Sequence, residues 1–345
     1  MKFARTLIDS FGTDIYIDLG TANTLVMEKN KGLVANEPSV IAYYEFNDGR
    51  RRIVAVGSEA KRKMGRTPGN LIASRPLKDG VVAELDATEM MLKYFMNTAR
   101  KAARWAKPRL VISLPFGVSD VEKKAVRDCG MAAGAREVAL IEEPMAAAIG
   151  SGLPVHSSKG NMVIDIGGGT TEVAVISLYG IVHCEAVRVG GHAFDEAIVE
   201  ALRRRFNILV GDQSAERLKI RIGTALPGDH ETKATIRGID FATGLPREIT
   251  VTSHDVYEAL SPLLNEIIEA GKRTLENTPP ELLSDIIDNG IVVAGGGALM
   301  HGLADRLHRE LHVPVRIADS PLLAIAKGGE QTINEPGLLS KIVLA

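Results

Sequence analysis

The sequence predicts an α/β fold of two related lobes, each enlarged by an insertion, and three observations support this prediction. Short β-branched runs alternate with longer stretches whose apolar residues recur at helical spacing. A pattern of strand, aspartate, glycine-rich turn and second strand occurs at Ile15–Val26 and again at Met162–Val175, and its aspartates Asp18 and Asp165 are 147 positions apart. The 345 residues have room for about two domains at ~150 residues each, so a duplicated lobe is the simplest explanation.

The individual elements follow from composition and spacing. Five segments have the β-branched composition of buried strands: Ile15–Asp18, Leu110–Leu114, Ala139–Ile141, Met162–Ile166 and Gly290–Ala294. Four segments have the apolar spacing of helices: Asp120–Ala133, Ala193–Phe206, Ser253–Glu276 and Gly302–Leu311. Two stretches interrupt the alternation, Ile41–Gly80 and Gly191–Val251, and the polar, strand-like Thr232–Thr252 lies at the end of the second. We therefore predict one insertion in each lobe.

Composition and charge exclude several classes of protein. The chain carries 41 Lys and Arg against 43 Asp and Glu, and its formal charge of −2 provides no basic field for binding nucleic acid. Its 2 cysteines are too few for a disulfide framework and too far apart for a zinc motif, which predicts a reducing compartment, the cytoplasm. No apolar run approaches the ~18 residues of a spanning helix, and Met1–Phe11 lacks the apolar core of a signal peptide.

Each repeated turn carries the parts of a phosphate and magnesium site. Glycines leave the backbone N–H groups accessible, and a carboxylate ends the first strand. Hydroxyls come from Thr21 and Thr24 in one copy and from Thr170 and Thr171 in the other. One copy alone is more typical of an ordinary hairpin, but two copies at half-chain spacing favour phosphate binding. The chain has neither a G-x-x-x-x-G-K-[ST] nor a G-x-G-x-x-G motif, so nucleotide binding would use another architecture.

Two further segments could complete such a site. The glycine cluster Gly295–Gly297 ends a predicted strand and precedes a helix, so its backbone can approach a flat ligand or a phosphate; a tight strand-to-helix turn is the alternative. Glu143 stands at the end of a strand just before Pro144, which suits a first helical position. Glu143 is there either as a helix N-cap or as a carboxylate that orients or deprotonates a water for attack on a γ-phosphate.

Four motifs resemble the phosphate-1, connect, phosphate-2 and adenosine motifs of the actin superfamily; they are Asp18–Thr24, Glu142–Ala148, Asp165–Val173 and Ala294–Ala298. Within the superfamily the chain is similar to the MreB family of bacterial actins, also at Asn36–Val40, Arg75–Val81, Gly238–Arg247 and Thr278–Leu282. The likeness runs from Thr13 to Lys341. It implies an actin-like (ribonuclease H-like) duplicated two-lobe ATPase fold with a subdomain inserted in each lobe. Subdomain IA would comprise residues 13–37 and 80–150, and subdomain IB residues 38–79. Subdomain IIA would comprise residues 151–190 and 252–345, and subdomain IIB residues 191–251.

The resemblance also implies a site for ATP or ADP with Mg²⁺. Glu143 and Thr170 would hold the hydrolytic water, and Asp18 and Asp165 would bind Mg²⁺ through water. The nucleotide would contact Asp18, Gly20, Thr21, Ala22, Asn23, Asp165, Gly167, Gly168, Gly169, Glu216, Arg217, Leu218, Lys219, Gly295, Gly296, Gly297, Ala298 and Leu299. Without the resemblance, a surface ion pair at i and i+3 is the simpler explanation for Glu216 and Lys219. Because neither turn contains Lys or Arg, hydrolysis between the lobes is expected to be slow.

A filament-forming cytoskeletal ATPase is the function that the resemblance implies. The chain would form paired protofilaments on the inner face of the cytoplasmic membrane and determine rod cell shape by organising peptidoglycan synthesis, with RodZ, MreC and MreD as partners. A chaperone-like ATPase, one alternative, would need a substrate-binding domain after the second lobe, and the chain ends at Ala345. A sugar-type kinase, the other, would need a substrate pocket with its own base, for which no Asp stands in a recognisable setting.

Membrane contact is expected at two places. In a helix formed by residues 1–12, Phe3, Leu7, Ile8 and Phe11 share one face and basic residues lie opposite, which is typical either of an interfacial helix or of one docked on the protein itself. Trp105 lies among cationic residues at a helix end and matches a membrane-dipping loop of the family; partial burial there is the alternative. Such anchors would hold a monomer weakly and a filament by avidity.

Overall fold

A computed structural model describes residues 14–47, 49–67, 69–78, 80–99, 107–228 and 232–344. The amphipathic segment with Phe3, Leu7, Ile8 and Phe11 lies outside these residues, and so does Trp105. Within the described ranges, no helix is both long enough and apolar enough to cross a membrane.

Strands and helices alternate along the chain. The strands are β1 (Ile15–Leu19), β2 (Asn23–Glu28), β3 (Gly32–Pro38), β4 (Ile41–Glu45), β5 (Arg51–Val56), β6 (Leu71–Ser74), β7 (Leu77–Lys78), β8 (Val81–Val82), β9 (Arg109–Leu114), β10 (Glu137–Glu142), β11 (Asn161–Ile166), β12 (Thr171–Ser177), β13 (Gly180–Val187), β14 (Ile208–Leu209), β15 (Lys233–Asp240), β16 (Pro246–Thr252), β17 (Ile291–Ala294) and β18 (Val315–Ile317). The helices are α1 (Ser58–Lys63), α2 (Leu85–Ala99), α3 (Asp120–Ala132), α4 (Glu143–Gly150), α5 (Gly191–Phe206), α6 (Asp212–Ile222), α7 (Ser253–Glu276), α8 (Pro280–Asn289), α9 (Leu303–Leu311), α10 (Ala324–Asn334) and α11 (Pro336–Ile342).

The five strands and four helices predicted by range within the described residues are present, and their ends differ from the prediction by at most two residues. The strand-like stretch Thr232–Thr252 forms the antiparallel hairpin β15–β16. Helix α7 begins at a capping box in which Thr252 and Asp255 satisfy each other's backbone N–H groups, and this fixes its start at Ser253.

Two five-stranded sheets share one topology, which confirms the predicted duplication. The first has the order β10-β9-β1-β2-β3 and the second the order β13-β12-β11-β17-β18. In each, the first strand of the repeat forms an antiparallel hairpin with the next strand and runs parallel to a later one, β9 or β17. Strands β1 and β11 are buried along their whole length because helices cover the sheets, as in other sheets with parallel strands.

The chain divides into two compact units. Unit 1 comprises the described residues up to Val155 together with those from Leu323 onward, and unit 2 comprises His156–Leu322. The predicted second lobe, residues 151–190 and 252–345, is therefore wrong at its end. The last segment belongs to unit 1 because α10 packs against α4 and β1, and because the backbone N–H of Leu344 donates to the Leu140 carbonyl at 2.8 Å.

The two predicted insertions form small sheets of their own. Within residues 38–79, strands β5, β4 and β6 form one sheet, and α1 packs against it. Within residues 191–251, strands β14, β15 and the start of β16 form another, and α6 packs against β15. The repeated turns lie outside these small sheets: one joins β1 to β2 in the first five-stranded sheet, and the other joins β11 to β12 in the second.

Candidate nucleotide-binding site

The first turn, residues 20–22, joins β1 to β2 and is held from one side by Ser39. The Ser39 hydroxyl donates to the Gly20 carbonyl at 2.5 Å, and the Ser39 backbone N–H donates to the Ala22 carbonyl at 3.0 Å. Because each peptide is planar and trans, carbonyls that face Ser39 direct the amide hydrogens of Thr21 and Asn23 to the opposite side. The turn therefore presents amide donors on that side, next to the buried carboxylate of Asp18.

The second turn, residues 167–170, is held in the same way by the start of α5. The backbone N–H of Gly191 donates to the Gly167 carbonyl at 2.9 Å, and that of His192 donates to the Gly168 carbonyl at 2.8 Å. Planarity again directs the amides of Gly168 and Gly169 away from α5. Both turns thus have the arrangement that binds phosphate oxygens through backbone amides.

Three of the four threonine hydroxyls in the repeated turns make hydrogen bonds to other groups of the protein, which the sequence did not predict. Thr21 Oγ1 accepts the backbone N–H of Gly80 at 2.8 Å, and Thr24 Oγ1 forms a fully buried hydrogen bond with Ser39 Oγ. Thr171 Oγ1 donates to the Val189 carbonyl at 2.7 Å. The Thr24 and Thr171 hydroxyls, which the sequence offered as parts of the site, are therefore buried and engaged inside the protein. Thr170, the proposed water ligand, is half-buried.

Asp165 is the next-to-last residue of β11 and is 3 % exposed. Its Oδ1 has no hydrogen-bond partner among the described residues, and burial raises the pKa of its carboxyl to about 7. A buried carboxylate without donors is unfavourable unless a cation accompanies it. The side chain thus fits a position next to Mg²⁺, the ion that prefers carboxylate and water oxygens.

The third turn, Gly295–Leu299, lies beside Asp165. Strand β17 is the parallel neighbour of β11, with Ala294 opposite Asp165. Gly295 has φ +79°, and a methyl group on it would lie 2.8 Å from Asp165 Oδ1. A glycine is needed here for both reasons. The alternative of a tight strand-to-helix turn is compatible with this geometry, since the turn also leads through a 3-10 segment towards α9.

Glu143 is the first residue of α4 and is 7 % exposed. The N-cap of this helix is Glu142, whose side chain makes no capping hydrogen bond, so the alternative in which Glu143 is the N-cap is wrong. The amides at a helix start favour the ionised form of a carboxyl placed there. Strands β1, β9 and β10 are parallel neighbours whose register places Asp18 level with Ser113 and Ile141, so Asp18 and Glu143, which directly follows β10, lie at the same edge of the sheet.

Helix α6 carries the predicted adenosine residues Glu216, Arg217, Leu218 and Lys219. Leu218 is buried, and Lys219 Nζ contacts the Gly191 carbonyl at 2.7 Å and Asp195 Oδ1 at 2.8 Å. Lys219 therefore pairs with Asp195 on α5, which the simple i, i+3 explanation did not include. The end of α6 is tied to the residues after the third turn, because the Ala225 N–H donates to the His301 carbonyl at 2.8 Å.

Within each unit, the structure therefore brings its predicted site residues together. Unit 1 holds the first turn and Glu143 at one sheet edge, and unit 2 connects the second turn, the third turn and α6. Sequence reasoning missed Ser39, Gly191, His192 and Asp195. The paired glycines Gly190 and Gly191 directly before a predicted helix were the one available signal for the last three.

Comparisons with known proteins agree with this arrangement. A family model described as "MreB/Mbl protein" matches residues 12–341. The "Cell shape-determining protein MreB" of Escherichia coli (strain K12) is 48 % identical over 325 residues, which cover 94 % of each chain. The MreB5 structures of Spiroplasma citri have TM-scores of 0.89 with bound ADP and 0.87 with bound AMPPNP, at 33 % and 34 % identity. They cover 96 % and 93 % of this chain, and 98 % and 96 % of their own. The chain therefore belongs to the MreB/Mbl family and has its actin-like fold.

Proposed function

We propose that this chain is an actin-like cytoskeletal ATPase that binds ATP and ADP, hydrolyses ATP slowly and forms filaments that determine cell shape. The observation that carries nucleotide binding is the pair of turns whose carbonyls are held by Ser39 and by α5, so that their amides face away and can bind phosphate oxygens. The nucleotides bound by the Spiroplasma citri relative support the same ligand class.

The buried carboxylates explain how a nucleotide with its cation fits this site. Asp18 and Asp165 would hold Mg²⁺ through water, and the ion would supply positive charge to the phosphate oxygens. The ion would also provide a partner for Asp165 Oδ1, which is buried with no hydrogen-bond partner in the described part of unit 2. The amides of Thr21, Gly168 and Gly169 bind and orient the phosphates, and Lys219 lies where it can contact the nucleoside.

Hydrolysis requires a water aligned with the γ-phosphate. We assign this task to Glu143, whose buried carboxylate accepts a proton or hydrogen bond from the water, and to Thr170, whose hydroxyl orients it. The turns themselves contain no Lys or Arg, so transition-state charge is stabilised mainly by amides. A slow rate is the consequence, and a slow rate suits an enzyme that times the life of a filament.

The variant Glu143→Gln tests this assignment. It keeps the size of the side chain and one acceptor oxygen but removes the base, so ATP hydrolysis should fall by about 10²-fold or more while ATP binding is kept. Phosphate release and nucleotide titration measure the two effects. Glu137→Gln, an exposed residue at the start of β10, is the matched control and should behave as wild type. Loss of ATP binding in Glu143→Gln would instead make Glu143 a binding or structural residue.

Filament formation and membrane binding complete the proposal. The named role of the Escherichia coli relative in cell shape supports a filament under the cell envelope. The apolar face of Phe3, Leu7, Ile8 and Phe11, with Trp105, supports attachment to the inner face of the cytoplasmic membrane. From there the filament would organise peptidoglycan synthesis together with RodZ, MreC and MreD.

A further inference from the structure

Asp195 lies on the second turn of α5 and is 6 % exposed. It is not part of either glycine turn, and its Oδ1 lies 2.8 Å from Lys219 Nζ on α6. We infer that Asp195 is a positioning residue for nucleotide binding, which fixes Lys219 and α6 against the backbone that holds the second turn. This inference rests on the proposed nucleotide site and adds a residue and a mechanism to it.

Among the described residues, Gly191 connects the second turn to α6. Its N–H donates to the Gly167 carbonyl, and its own carbonyl accepts a hydrogen bond from Lys219 Nζ at 2.7 Å. Lys219 thus holds the Gly191 carbonyl, and the Gly191 N–H in turn holds the Gly167 carbonyl. The position of Lys219 therefore affects the amides of the second turn that face the phosphates. Any displacement of Lys219 removes a constraint from Gly191 and from the second turn.

The charge of Asp195 keeps Lys219 in this place. The Lys219 side chain is only 17 % exposed, and a buried ammonium needs an anionic partner to remain there. An ammonium has three N–H donors. The Gly191 carbonyl accepts one of them and the Asp195 carboxylate lies 2.8 Å from the nitrogen as its ion-pair partner, so a further N–H can donate to an oxygen or nitrogen acceptor of the nucleoside.

Removal of the carboxylate should therefore release Lys219 towards water. The remaining hydrogen bond to a neutral carbonyl does not compensate for the lost charge. The adenosine side of the site and the second turn then become independently mobile, and the nucleotide has to order both. Affinity should fall for ATP and ADP alike. The rate at saturating ATP should change little, because the water-activating Glu143 is carried by α4 of unit 1.

The experiment measures ADP binding, with Mg²⁺, to the full chain carrying Asp195→Asn, Lys219→Met or both. We expect the Kd to rise about tenfold in each single variant and no further in the double variant, because both substitutions break the same connection. Asp195→Glu, which keeps the charge, should recover part of the affinity. Glu196→Gln removes a charge from an exposed neighbour on the same helix and is the matched control. In ATPase assays, Asp195→Asn should raise KM and leave kcat within about twofold.

Three results would overturn the inference. The first is an Asp195→Asn protein that binds ADP within about twofold of wild type, even if it melts at a lower temperature, because Asp195 would then be structural only. The second is a double variant whose losses multiply. The third is Asp195→Glu binding ADP no better than Asp195→Asn; if Asp195→Asn does not fold, Lys219→Met takes its place in this comparison. A wild-type protein that binds neither ATP nor ADP would defeat the proposed function itself.

Discussion

Burial, more than any neighbouring charge, sets the chemistry of Asp165. Its Oδ1 has no hydrogen-bond partner in the described structure, and burial raises the pKa of the carboxyl to about 7, so this one side chain already indicates a site. The folded protein binds this proton more tightly than the unfolded chain, where the ordinary value is 3.8. The stability that the bound proton contributes is fully present below pH 3.8 and is lost as the pH rises to about 7.

Asp165→Asn should therefore change how stability depends on pH. In nucleotide-free protein with a chelator present, the variant should melt above wild type at pH 8, by about 2–4 °C for each kcal/mol of relieved desolvation, and the difference should shrink at pH 5. Thermal unfolding followed by circular dichroism measures it. Asp288→Asn, an exposed carboxyl on α8, is the control. A difference that is the same at both pH values would contradict the role of burial.

At the scale of elements, α4 and α10 depend on close packing between glycines and backbone. A methyl group added at Gly328 of α10 would overlap the Ala146 carbonyl of α4, and one added at Gly150 would overlap the Ala324 carbonyl. The two helices therefore approach each other at backbone distance. Since α4 begins with Glu143, this contact also helps to fix the position of the Glu143 carboxylate at the edge of the first sheet.

Gly328→Ala should destabilise the protein by about 1–3 kcal/mol, because the helices have to move apart to admit the methyl group. Urea unfolding measures the change. Gly337→Ala is the matched control: this glycine lies in α11 with nothing within 4 Å of the added carbon, so the same substitution should be neutral or stabilise by up to ~1 kcal/mol. A Gly328→Ala protein as stable as wild type would show that the helix contact is not tight.

The elements also show how far sequence reasoning reaches. Strand and helix positions were predictable because local periodicity determines which face is buried, and Asp18 and Asp165 were found because the turn is repeated. The destination of α10 was not predictable, since an apolar stripe gives no information about which unit covers it. The Asp195–Lys219 pair was missed for a related reason, because a contact between two helices leaves no local pattern. The partners of the Thr24 and Thr171 hydroxyls were not predictable either, because a hydroxyl in a turn bonds to the protein's own groups, here Ser39 Oγ and the Val189 carbonyl, as readily as to a ligand.

At the scale of the whole molecule, nucleotide, assembly and membrane are expected to act together. We expect sedimentation with liposomes to require ATP with Mg²⁺, because a filament presents many weak anchors at once. Phe3→Asp with Phe11→Asp should abolish lipid binding and leave ATP-dependent assembly unchanged. Phe46→Asp, an exposed aromatic residue after β4, is the control. Full retention on liposomes of protein that cannot assemble would contradict the coupling.

The position of α10 in unit 1 has a consequence for synthesis on the ribosome. Gly329 lies directly against the ring of Tyr16, a buried residue of the first strand, so this part of the core is formed by residues more than 300 positions apart. At 5–20 residues per second, the ribosome needs roughly 15–60 s to pass from one to the other. Throughout that interval the nascent first sheet lacks its cover, whereas His156–Leu322 is complete earlier and can fold first. Chaperone protection during translation is therefore needed most by the part of the protein that is made first.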